Sequence, residues 1–166
     1  MEKHIYDALK ILIDLSKEAQ ENQKQKQKYF SFKEWINEYC TIKVCSSRRT
    51  GHTEAIRRLI FEDEMNIGYF SSNHSQVREF LRVYNIKKKD NQKGKLVFYR
   101  SVNDDIRKVY LSSNFFDLDA IVVDGDFYLS ERKKVMLVDI SLSGLLPSLY
   151  DHVPPRTKPF YFIFLQ

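Results

Sequence analysis

The residues whose types and spacing suit chemistry lie in one run from Thr41 to Ile56, TIKVCSSRRTGHTEAI. A β-prone stretch leads into a polar loop, then Gly51-His52-Thr53, then a helical pattern. At such a strand–loop–helix junction the first backbone N–H groups of the helix lack intrahelical acceptors, and the helix dipole adds to their attraction for an anion. A phosphate-binding loop reads Gly, four residues, Gly, Lys, then Ser or Thr. Here Ser46 takes the first glycine position, Gly51 the second, His52 the lysine position and Thr53 the hydroxyl position. Ser47, Arg48, Arg49 and Thr50 fill the loop between them. Any β–turn–α unit with a glycine and a threonine at the helix start has the same appearance, so this segment alone leaves both readings open.

A second run, DAIVVDGD from Asp119 to Asp126, ends an apolar strand on the carboxylate of Asp124. In phosphate-loop proteins a carboxylate so placed holds magnesium beside the loop hydroxyl, which makes Thr53 and Asp124 the metal pair. The bland alternative is an acidic turn after a core strand. Other chemistries find less support. His4, His74 and His152 show no metal-ligand spacing, and no Ser-His-Asp or Cys-His arrangement is legible in sequence order. Cys40 and Cys45 have no partners at zinc-site spacing and are expected to be buried thiols.

These residues need elements to position them. Residues 3–20 place Ile5, Ala8, Leu9, Leu12, Leu15 and Ala19 on one helical face, and the Gln- and Lys-rich 21–28 reads as a solvated extension or linker. A short helix is predicted over 31–39, with Ser31 and Glu34 as a capping box. From residue 41 strands and helices alternate. Strands are predicted at 41–45, 66–70, 95–100, 120–124 and 160–165, and helices at 53–60 and 75–84. Residues 108–112 form a hairpin with 95–100 in this reading, and further helices fall at 130–134 and 145–150. Tyr69 and Tyr99 belong in or near the sheet. Apolar strands separated by helices define a three-layer α/β fold with a mainly parallel sheet, where ligands collect at the carboxyl ends of strands. The division is a helical region over 1–40 and an α/β domain over 41–166.

The stretch SRRTGHT at 47–53 resembles the phosphate loop of tailed-phage terminase large subunits, the DNA-packaging ATPases, in which an Arg-containing loop ends in Gly-Lys-Thr. NIGYFSS at 66–72 and the helix after it resemble the family's second strand and helix. The 96–98 and 109–112 pair looks like the hairpin before its magnesium-binding strand, and 160–166 like the following core strand. The resemblance covers roughly residues 30–166. It implies a RecA-like P-loop NTPase fold, ATP and Mg²⁺ as cofactors, Arg48 or Arg49 on phosphate, Thr53 and Asp124 sharing magnesium, and Gln166 as a polar coupling residue. Two departures stand out. The family's lysine is His52, shorter and, with an unperturbed pKa of about 6.5, mostly neutral at physiological pH. The catalytic Glu that follows the magnesium carboxylate is Gly125, leaving Asp126 and Glu131 as substitutes. By the resemblance this is a degenerate Walker A motif.

The 166 residues are 43% hydrophobic, with 12 Phe, 10 Tyr, 5 Gly and 4 Pro, enough to build a core and contrary to low-complexity or collagen-like chains. No apolar run reaches the roughly 20 residues that span a bilayer, and no signal segment opens the chain, so no membrane partner and a cytoplasmic setting (host cytoplasm for a viral protein) are expected. The net charge of +5 lies beyond residue 40, concentrated at Arg48, Arg49, Arg57 and Arg58 and at Lys87, Lys88, Lys89, Lys93 and Lys95. Such clusters suit a nucleotide or DNA, or a solvated surface. Three readings follow, in order: a terminase-like P-loop domain that binds nucleotide or nucleic-acid phosphate in phage or mobile-element DNA handling, with hydrolysis weak or absent; an active Mg-dependent ATPase for DNA packaging or remodelling; and a nucleotide-free scaffold or inhibitor. DNA, a phage assembly protein and a second copy docked through the N-terminal helix are the partners considered.

Overall fold

The computed structural model describes residues 2–30, 32–46, 51–71, 74–101, 118–125 and 158–166. Helix α1 (Glu2–Asn22) runs through a 3₁₀ segment (Lys24–Tyr29) to α2 (Phe32–Trp35), which continues as a π-helical turn over Ile36–Cys40. Then come β1 (Thr41–Val44), α3 (His52–Phe61), β2 (Ile67–Ser71), α4 (His74–Lys87), β3 (Leu96–Ser101), β4 (Ala120–Asp124) and β5 (Tyr161–Leu165). The expected 108–112 hairpin strand, the 130–134 and 145–150 helices and the Ser31 cap lie outside the described residues.

The five strands form one sheet in the order β1-β5-β4-β2-β3, and every pairing is parallel. The fold is α/β. Parallel strands bury both faces, and each face here is apolar. One carries Ile42, Ile67, Tyr69, Ala120, Val122, Tyr161, Ile163 and Leu165, in one cluster with residues of α1, α3 and α4. The other carries Phe70, Ile121, Val123, Phe162 and Phe164, equally buried.

Helix α3 buries Ala55, Ile56, Leu59 and Ile60 completely, one stripe at helical spacing. Helix α1 lies across α3 and β1. The buried residues of α1 are Ile5, Tyr6, Leu9, Ile13 and Gln20, whereas Leu15 and Ile11 are exposed. The inner face is therefore rotated from the one read off the sequence. Polar anchors set that rotation. Tyr6 Oη donates to Asp63 Oδ2 at 2.9 Å, and Lys10 Nζ to Asp63 Oδ1 at 2.7 Å. Gln20 pairs with the backbone of Phe160, its Nε2 donating to the carbonyl at 2.9 Å and its Oε1 accepting from the N–H at 3.2 Å. That second anchor fixes the start of β5. Cys40 is buried but Cys45, just past the end of β1, is exposed, contrary to the expectation for both thiols.

Gly94 marks a close approach behind the site. A Cβ there would stand 2.1 Å from the Ile60 carbonyl oxygen and 2.6 Å from the Glu64 carbonyl carbon. Only glycine lets the segment before β3 close on the end of α3.

Leu9→Ala should lower unfolding free energy by about 2–5 kcal/mol in a denaturant titration, because Leu9 is fully buried. A loss below about 1 kcal/mol would show that α1 docks without contributing to the core.

Burial, reinforced by the bond to Asp63, pushes the Tyr6 phenol from 10.0 up to about 12. The fold requires the neutral phenol, so its contribution is complete below pH 10 and is lost as pH rises toward about 12. The stability difference between the protein and its Tyr6→Phe variant, measured by thermal melts, should therefore move in favour of the variant across that window.

Candidate functional site

Because all five described strands are parallel, their carboxyl ends share one edge, and the chemistry-bearing residues gather there. The backbone fixes their positions first. Ser46 N–H donates to the Gln166 carbonyl at 2.7 Å, Gln166 N–H to the Val44 carbonyl at 2.9 Å, and Gly125 N–H to the Leu165 carbonyl at 2.9 Å. The ends of β1, β5 and β4 thus sit side by side with Gln166 in the middle. Gly51 enters α3 in the left-handed region, with φ of 86°, where a Cβ costs about 1–2 kcal/mol. It offers no capping side chain, so the first N–H groups of α3 remain without intrahelical acceptors.

His52, the first residue of α3, bridges the site. Its Nε2 lies 2.6 Å from Ser46 Oγ, and its Nδ1 lies 3.1 Å from Asp124 Oδ1. The second carboxylate oxygen of Asp124 accepts from Tyr69 Oη at 2.9 Å. A carboxylate has only lone pairs to offer, so in a neutral imidazole Nδ1 would carry the proton and Nε2 would accept from the Ser46 hydroxyl. The His52 and Asp124 side chains are each 18% exposed, open to a ligand yet mostly desolvated, which strengthens charge interactions there.

Tyr69 was placed in the sheet from sequence, but its role was not legible. Its side chain shares a face with Ile67, and the register sets Tyr69 opposite Val122 and Ser71 opposite Asp124. The phenol therefore reaches diagonally toward the strand end. Its ring stacks on Phe80 with centroids 4.1 Å apart. Burial, then the neighbouring Asp124 charge, raises the Tyr69 phenol well above its ordinary range, so it remains a donor.

Of the residues expected to serve nucleotide, metal or catalysis, Ser46, Gly51, His52, Thr53, Asp124 and Gln166 fall at this edge. Ser47, Arg48, Arg49, Thr50, Asp126 and Glu131 lie outside the described residues. The basic cluster that included Arg57 and Arg58 is partly neutralised within α3. Arg57 pairs with Glu54, whose carboxyl it holds below the usual range. Arg58 pairs with Glu62 at 2.8 Å and lies over the Tyr6 ring. Lys87 and Lys93 approach Glu54 and Glu64 at 3.6 and 3.4 Å, while Lys88, Lys89 and Lys95 are exposed. Among the described residues no three His, Cys, Asp or Glu side chains gather as a metal cluster, and no helix is long and apolar enough to cross a membrane.

No family model and no curated relative matches the chain. A solved structure described as the Phi-28 gp11 DNA packaging motor is similar at 14% sequence identity and a TM-score of 0.41, with 84% of this chain and 50% of that chain covered. The chain thus spans half the length of that neighbour. A likeness that distant carries no conclusion about activity.

Proposed function

We propose that this chain is a minimal terminase-like P-loop domain of RecA-like fold, binding the phosphates of a nucleotide or nucleic acid in phage or mobile-element DNA handling, with hydrolysis weak or absent. The observation that carries the reading is the 3.1 Å contact from His52, in the lysine position of the loop pattern, to Asp124, in the magnesium-carboxylate position. Two segments chosen from sequence for one phosphate site, 72 residues apart, meet at the carboxyl edge of one parallel sheet.

The donor set suits the implied ligands. Mg²⁺ takes oxygen ligands, keeps several waters and needs only one or two carboxylates besides phosphate, so the Thr53 hydroxyl and Asp124 would hold it, and it would neutralise developing phosphate charge. The N-terminal turn of α3 would receive a phosphate on N–H groups without intrahelical acceptors. His52 would turn from Ser46 toward that phosphate, and Arg48 or Arg49 would add charge. DNA or an assembly protein remains the proposed class of macromolecular partner.

Weak hydrolysis follows from the departures at His52 and Gly125. Glycine has no side chain to activate water, and imidazole is a poorer counter-charge than an ammonium. Position 125 has room for a larger residue, since the nearest contact of a Cβ there is the Leu165 carbonyl oxygen at 3.9 Å.

Calorimetric titration with a non-hydrolysable ATP analogue should give micromolar, magnesium-dependent binding that Thr53→Ala abolishes. No heat at millimolar analogue, in folded protein, would discard the nucleotide reading.

The double variant His52→Lys/Gly125→Glu should raise phosphate release by about 10²-fold or more, the usual contribution of a positioned general base. Wild-type turnover already equal to that of the double variant would make the chain a working magnesium-dependent ATPase.

A further inference from the structure

We infer that Ser46, His52 and Asp124 form a serine-nucleophile relay for acyl transfer from a carboxylic ester, an activity separate from phosphate binding. Three distances define it: Ser46 Oγ to His52 Nε2 at 2.6 Å, His52 Nδ1 to Asp124 Oδ1 at 3.1 Å, and Tyr69 Oη to Asp124 Oδ2 at 2.9 Å. In a neutral imidazole the donor and acceptor roles follow from the carboxylate. Asp124 accepts on both oxygens, so the imidazole proton sits on Nδ1, and the lone pair of Nε2 faces the serine hydroxyl. That is the order nucleophile, base, orienting carboxylate on which serine acyl transfer depends, recognised by geometry and not by chain order.

Ser46 and His52 flank one strand–loop–helix connection, while Asp124 reaches them from the end of β4, 72 residues along the chain from His52. The backbone holds Ser46 in place through its N–H bond to the Gln166 carbonyl at 2.7 Å. Tyr69 is a positioning residue that holds the far oxygen of Asp124. The first turn of α3, to which His52 belongs, is the source of N–H donors for the oxygen that becomes negative.

In the first step Ser46 Oγ bonds to the ester carbonyl carbon as its proton passes to His52 Nε2. The bond from that carbon to the alkoxy oxygen then breaks, and Nε2 returns the proton to the leaving oxygen, which departs as an alcohol. Water gives a proton to Nε2 and bonds to the acyl carbon. The acyl–Ser46 bond breaks, Oγ regains its proton, and a carboxylic acid is released.

The test uses an alkyl fluorophosphonate on the full chain, in which a bond forms from serine Oγ to phosphorus and fluoride leaves. Intact mass followed by peptide mapping should show one adduct per chain, on Ser46. The labelling rate should fall about 10²-fold or more in His52→Gln and in Asp124→Asn, each checked for folding by thermal melt. Tyr69→Phe should slow labelling less than either. No adduct on native protein, an adduct on another residue, Ser46 labelling as fast in protein unfolded in guanidinium before the reagent is added, or a rate unchanged in folded His52→Gln would overturn the relay. Wild-type mapping and the unfolded control decide the matter even if a variant does not fold.

Discussion

The site depends on β5 lying between β1 and β4. Neighbouring strands are about 4.8 Å apart, so one inserted strand separates the end of β1 from the end of β4 by about 10 Å. That gap is too wide for Ser46 and Asp124 to touch. It matches an imidazole with a hydrogen bond at each end, and His52 fills it from the first turn of α3. The insertion is secured by a strand buried along its whole length, paired in register with both neighbours. It is secured again at its start, where Gln20 of α1 takes both backbone groups of Phe160.

Helix α3 must hold its own position for the bridge to form. Its inner stripe is fully buried, and α1 packs across it, tied by Tyr6 and Lys10 to Asp63 just beyond the helix end. The segment before β3 closes on the same end, where Gly94 leaves no room for a side chain. Helix α3 is thus held by packing and polar anchors at its carboxyl end, while its amino end, entered through Gly51, keeps N–H groups without intrahelical acceptors at the site. Stability and chemistry are separated along one helix.

The polar chain at the site has one consequence for both proposed chemistries. Asp124 satisfies two donors at once, Tyr69 from β2 and His52 from α3, so its orientation is set before any ligand arrives. In the proposed phosphate site His52 would leave Ser46, whereas an ester would use the contact as it stands. Under the two proposals the same imidazole has different partners, so it would not serve both at the same moment.

Much of the scaffold was legible because it rests on local pattern. The apolar runs at 41–44, 67–71, 96–101, 120–124 and 161–165 became strands, and the stripes of α3 and α4 became helices, with ends displaced by at most three residues. The inner face of α1 was misjudged because Leu15 and Ile13 are equally apolar, and only the anchors to Asp63 and Phe160 choose between them. Gly51 and Asp124 were recognisable from residue type and place in a strand–loop–helix or strand–turn pattern. The relay from Ser46 through His52 to Asp124 was not, because Asp124 is brought to the β1–α3 connection by strand order, which no local period encodes. Tyr69 was hidden for the same reason. The sequence by itself determined which segments would be strands or helices and which residues would stand at their ends, since those depend on neighbours along the chain. Tertiary structure alone decided which ends meet, because that is set by the burial of β5 between β1 and β4 and by the diagonal reach of Tyr69 across the β2–β4 pair.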